Sequence, residues 1–163
     1  MSAVARRVGM FVSRTLWPWV CLAALVGMLA FVPPSLAQTR VPSERPLEAL
    51  VKASLLSFND ANVTGNFDVF HAKLSKPFRD QFPPEKLSEI FKEFRDKRID
   101  FDIIAAKRPI GTEEPKIADN GTLSIKGYFD TAPSRVNYDL AFIMSDGEWK
   151  LIKVNVNVKK PDR

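Results

Sequence analysis

The stretch RVNYDLAFIMSDGEWKLIKVNVNVK, residues 135–159, alternates apolar and polar side chains on either side of one Asp-Gly pair. Val136, Tyr138, Leu140, Phe142 and Met144 recur at every second position. That period marks a strand with one buried face. Asp146-Gly147 separates two such runs and suits a tight hairpin turn, because both residues tolerate positive φ. The second run then changes phase. Trp149 and Leu151 share one parity, whereas Ile152, Val154, Val156 and Val158 share the other. Two readings fit: a β-bulge near Leu151, or a strand buried on both sides at its start.

Working upstream, KIAD, Asn120-Gly121 and TLSIKGYFD read as another hairpin with Asn-Gly at its turn. IDFDIIAAKRPI, residues 99–110, opens with alternation and reads as a strand, with Ile99, Phe101 and Ile103 inside. Before residue 99 the period is helical. PLEALVKASLLSFNDAN, residues 46–62, sets Leu47, Leu50, Val51, Leu55 and Phe58 on one face. Ser43 can cap this helix, Pro46 suits its first turn, and Asn62 to Gly65 should stop it. NFDVFHAKLS, residues 66–75, reads as a second helix with a stripe of Phe67, Phe70, His71 and Leu74. Pro77, Pro83 and Pro84 interrupt the pattern. A third helix is expected from Pro84 to about Lys97, burying Leu87, Ile90, Phe91 and Phe94 and pairing Glu93 with Lys97 outside. The order predicts an α+β fold: three N-terminal helices packed on a curved antiparallel sheet of about four strands. A parallel sheet is disfavoured, since no helix lies between the late strands.

Residues 1–37 read as an export signal. Arg6, Arg7 and Arg14 precede the uncharged run VCLAALVGMLAFV, residues 20–32, and Ser35 and Ala37 fit a cleavage site after Ala37. Arg6-Arg7 also admits a twin-arginine route. The rival reading is an uncleaved anchor, for which the run is short against the roughly 20 residues of a spanning helix. Residues 38–45 then form a loose lead-in and 46–160 a single domain. On either reading the domain works outside the cytoplasm, in the periplasm or beyond the cell of a bacterium. It would touch a membrane only through an uncleaved signal. Cys21 is the only cysteine and lies in that signal, so the domain would carry neither disulfide nor thiol chemistry.

The formal charge of +5 comes from 24 basic and 19 acidic residues. Arg6, Arg7 and Arg14 account for three of the basic ones; 21 basic and 19 acidic residues remain. A nucleic-acid partner is not expected of so balanced a surface. EKLSEIFKEFRDKR reads as a solvated helix face.

The long helix, the short helix with GN…F…LS, the third helix and the meander ending in DGEWKL resemble the nuclear transport factor 2-like superfamily, the cystatin-like α+β cone. The resemblance covers roughly residues 46–158 and points to its small exported bacterial members. It implies a cone-shaped sheet whose hollow can hold a small ligand. It does not imply an activity, because that fold hosts isomerases, dehydratases, transport adaptors and inert binding modules.

Few residues suggest chemistry. His71, the single histidine, has three readings: a core filler, a ligand contact, or a general acid or base in the hollow. Enzymes of the resembling superfamily place an acid or a His–Asp pair there, and Asp68 lies three residues before His71. Asp100 and Asp102 share one side of the expected strand, as an acid–base pair or as an ordinary polar face. One histidine and no cysteine beyond the signal leave no metal-ligand set. There is no GxSxG, no Cys–His set and no Gly-rich phosphate loop, and no cofactor is expected. Tyr138 needs a partner for its hydroxyl if buried. Lys153, Asn155 and Asn157 face solvent if the valines are core, or the hollow if the phase set by Trp149 holds. The candidate ligand contacts are therefore His71, Tyr138, Trp149 and Asn155. Two functions fit. One is an exported, non-catalytic binding or scaffold domain, with an apolar hollow for a small hydrophobic ligand or a partner protein, able to form a homodimer through its sheet. The alternative is an isomerase- or dehydratase-type enzyme using His71 as general acid/base, with Tyr138 or an aspartate beside it.

Overall fold

The computed structural model describes residues 40–159. The expected signal at 1–37 and its cleavage point lie outside the described residues. Helix α1 spans Glu44–Thr64. Ser43 stands at its N-cap and accepts the Leu47 N–H through its carbonyl oxygen at 3.0 Å, but its side chain caps nothing. Gly65, with φ of 75°, ends the helix in the left-handed region that glycine adopts without a Cβ clash. Asn62, expected to stop the helix, lies within it, donating from Nδ2 to the Phe58 carbonyl oxygen at 2.8 Å.

Helix α2, Asp68–Ala72, is shorter than the pattern suggested. The chain after it makes an isolated bridge from Leu74 to Leu151, and the Ser75 N–H donates to the Leu151 carbonyl oxygen at 2.9 Å. The proline-rich stretch, expected as a break, folds into α3, Lys76–Gln81. Pro77 sits in its first turn, where a missing N–H breaks no intrahelical bond. The expected third helix divides into α4, Pro84–Ile90, and α5, Lys92–Asp96, with Phe91 between them. Leu87 is buried, but Ile90 is 50% exposed rather than buried. The Lys97–Glu93 ion pair is present on the outer face.

Residues 99–110 depart most from expectation. A 3₁₀ turn, Asp102–Ala106, replaces most of the strand. Its cause lies on α1. Asn59, 2% exposed, accepts the Phe101 N–H at 3.0 Å and donates to Asp100 Oδ1 at 2.7 Å. The Asp102 N–H donates to the same Asp100 oxygen at 3.1 Å. These bonds satisfy the backbone locally and end the extended path. Phe101 and Ile104, three apart, are buried, while Ile103 is 51% exposed.

Five strands follow: β1 Ile110–Gly111, β2 Lys116–Ile117, β3 Leu123–Phe129, β4 Arg135–Ser145 and β5 Glu148–Lys159. All pairings are antiparallel, in the order β1-β3-β4-β5, and β2 also pairs with β3. Asp146 and Gly147, with φ of 56° and 79°, form the turn between paired Ser145 and Glu148. Ala141 faces Lys153 and Phe142 faces Leu151, so Ile152 is the extra residue of a β-bulge. The bulge keeps Leu151 opposite Phe142 and Val154 opposite Leu140, on the same face of the sheet. That face joins α1 and the residues around α2 in one core, with Leu55, Phe58, Phe70, Ile125, Leu140 and Phe142 at its centre. No helix among the described residues is long and apolar enough to cross a membrane.

Candidate functional site

A cleft of about 220 Å³ separates the N-terminal half of α1 from the sheet. Leu47 and Val51 of α1 and Ile125 of β3 supply apolar wall, and Tyr138 of β4 lines it from the sheet side. Tyr138 is only 5% exposed. Its position depends on Gly127, its direct cross-strand partner. A Cβ on Gly127 would stand 2.5 Å from the phenol oxygen and would also collide with the Ile110 carbonyl oxygen. The ring instead settles over the glycine, 5.7 Å from the Phe129 ring centroid. Its hydroxyl makes no hydrogen bond among the described residues, and burial pushes the phenol up to about 12.

Charged groups surround the cleft rather than fill it. Lys126 and Glu113 pair at 2.9 Å on its rim. The hydrogen bond and charge of Lys126 hold the Glu113 carboxyl below its ordinary value, and the same bond raises the Lys126 ammonium.

A second cleft, of about 300 Å³, lies between α1 and the start of β5, with Leu50, Ser54, Phe70 and Trp149 in its lining. The Trp149 indole N–H is buried there without a partner. A third, of about 470 Å³, lies at the C-terminal end of α1 and includes Asn62, Arg95, Arg98 and Asp100.

Of the sequence candidates, Tyr138 and Trp149 line clefts, but different ones. His71 lines none of the three. It is half-buried, and its Nε2 lies 3.3 Å from the Arg79 carbonyl oxygen, an acceptor to which a protonated ring nitrogen donates. No carboxylate or phenol is among its hydrogen-bond partners in the described residues. Asn155 is exposed opposite Asp139, on the sheet face away from the core, where Lys153 pairs with Asp139 at 2.6 Å. Asp100 is engaged by Asn59, and the Asp102 backbone, not its carboxylate, reaches it. Among the described residues no three His, Cys, Asp or Glu side chains are grouped to hold a metal.

The sequence reading passed over Asn59 and Asn62. They lie four residues after Leu55 and Phe58, on the buried stripe of α1. A polar residue on such a stripe requires a partner, and that was the available signal. No protein-family model, no curated protein and no solved structure matches this chain.

Proposed function

We propose that the chain is an exported, non-catalytic binding domain of the nuclear transport factor 2-like kind. It holds a small, mainly apolar ligand in the cleft over Tyr138. The observation that carries this reading is a buried hydroxyl without a partner, set in a cleft with aliphatic walls. A buried donor of that kind is satisfied by an acceptor from a guest, such as a carbonyl, ether or hydroxyl oxygen. Leu47, Val51 and Ile125 add apolar contact, and the volume favours a ligand smaller than the drug-sized guests of larger pockets. A phenol pushed up to about 12 stays protonated at neutral pH, so it serves as a donor and not as a base.

The isomerase- or dehydratase-type alternative requires an acid or base beside His71, and the ring partner present is the Arg79 backbone. Self-association through the sheet would use β5. Beyond Leu151, that strand has β4 on one side and no strand on the other among the described residues.

Native mass spectrometry of the purified protein tests the reading. A co-purifying small molecule is expected on the wild type and lost from Tyr138→Phe, which keeps the ring and removes the donor. Retention of the same molecule by Tyr138→Phe, or a bare wild-type protein, would sink it.

A further inference from the structure

The cleft at the C-terminal end of α1 has a chemistry of its own and does not depend on the Tyr138 reading. Asn62 is 1% exposed. Its Nδ2 is taken by the Phe58 carbonyl oxygen, but its Oδ1 is buried with no partner. Buried acceptors without a donor are rare in folded proteins and ask for an explanation. Arg95 presents the complementary gap. Its Nη2 donates to the Ser88 carbonyl oxygen at 2.5 Å and its guanidinium carbon lies 5.8 Å from the Phe67 ring centroid, which fixes the group. Its Nη1 is buried and unpaired. Arg98 lines the same cleft from a residue held at φ of 49°. Positive φ is uncommon away from glycine, and such positions concentrate at functional sites. Neither arginine forms an ion pair among the described residues. Asp100 adds a carboxylate, and Phe94 and Ile99 add apolar wall.

We propose that this cleft binds a free α-amino acid with an apolar side chain. The ligand carboxylate meets Arg95 Nη1 and the Arg98 guanidinium. Its ammonium meets Asn62 Oδ1 and the Asp100 carboxylate. The side chain lies against Phe94 and Ile99. Simpler ligands leave one gap open. An inorganic anion would satisfy the arginines but offers Asn62 Oδ1 no donor. A plain amine would satisfy Asn62 and Asp100 but leaves Arg95 Nη1 unpaired. A molecule carrying both charges a bond or two apart closes both gaps.

Isothermal titration of the full chain with L-leucine and L-phenylalanine tests the assignment. N-acetyl-L-leucine lacks the ammonium, L-leucinamide lacks the carboxylate, and inorganic phosphate supplies only an anion. Saturable binding of at least one amino acid is expected, with each leucine derivative weaker by about tenfold or more than L-leucine where leucine binds. Arg98→Gln, at an exposed side chain, should weaken binding by about tenfold, while Arg45→Gln at the other end of α1 leaves it unchanged. No heat with either amino acid overturns the proposal, as does equal binding of the two derivatives. Phosphate binding that depends on Arg98 while both amino acids fail would mark a plain anion site and overturn it too.

Discussion

Gly127 and Tyr138 face each other across β3 and β4, and the pair works because one of them has no side chain. The glycine leaves room for the phenol to lie down over the strand instead of standing off it. Burial then sets the acidity of that phenol, with a consequence for stability. In the unfolded chain a tyrosine ionises near pH 10; in the folded chain burial pushes Tyr138 up to about 12. Between these values the folded protein keeps a proton that the unfolded chain has lost. Stability from this group is complete below the unfolded value and declines as pH rises through the folded one. Tyr138→Phe should remove that part of the decline. Urea midpoints of the two proteins should therefore converge or cross between about pH 10 and about 12, with the wild type falling more steeply. Parallel curves would mean that the phenol does not resist ionisation. The sequence makes Tyr138 legible, as a tyrosine on an apolar strand face. It does not make Gly127 legible, because a glycine in a strand has several explanations and its partner is fixed only by register. His71 shows the opposite failure: its stripe position is readable, but the Arg79 carbonyl that occupies its ring nitrogen is not.

At the scale of elements, the β4–β5 hairpin is written almost completely in residues 135–159. Parity gives both strands, Asp146-Gly147 gives the turn, and the parity switch gives the bulge, which the register places at Ile152. Residues 99–110 are not legible in the same way. Their alternation is genuine, but Asn59, more than a helix's length away in sequence, takes the Phe101 N–H and the Asp100 carboxylate. Tertiary hydrogen bonds override local strand preference here. The single third helix fails for a similar reason. Phe91 and Phe94 both pack edge-on against Phe58, at 4.6 and 5.4 Å between ring centroids, and the helix breaks at Phe91. If Asn59 is what holds the 3₁₀ turn, Asn59→Ala should leave the buried Phe101 N–H without an acceptor. The expected loss is about 1–3 kcal/mol by urea unfolding. Amide exchange at Phe101 should accelerate more than exchange in β4. A variant with wild-type stability and unchanged exchange would show that the turn stands without the clamp.

For the molecule as a whole, the question is what joins a layer of short helices to a sheet. Helices of five to seven residues have little stability alone, since nucleation is costly and few bonds follow it. Their order must come from what they bury. Phe58, at the centre of the only long helix described, lies within 6.3 Å of the rings of Phe70, Phe91, Phe94 and Phe101. Those four rings come from α2, the break between α4 and α5, α5 itself and the edge of the 3₁₀ turn. Phe58 also belongs to the same buried cluster as Leu123, Leu140, Phe142 and Leu151 of the sheet. Removing its ring should therefore loosen every short helix at once. A Phe→Ala change in such a core costs about 3–5 kcal/mol. Against the roughly 5–15 kcal/mol that holds a typical domain together, that is a large fraction. Phe58→Ala should shift the urea midpoint sharply downward, with far-UV and near-UV circular dichroism falling together. Loss of the helical signal while the sheet remains cooperative would show two separable layers. Phe58→Leu fills part of the space and should fall between the two, because the damage scales with the cavity left behind and not with aromatic chemistry.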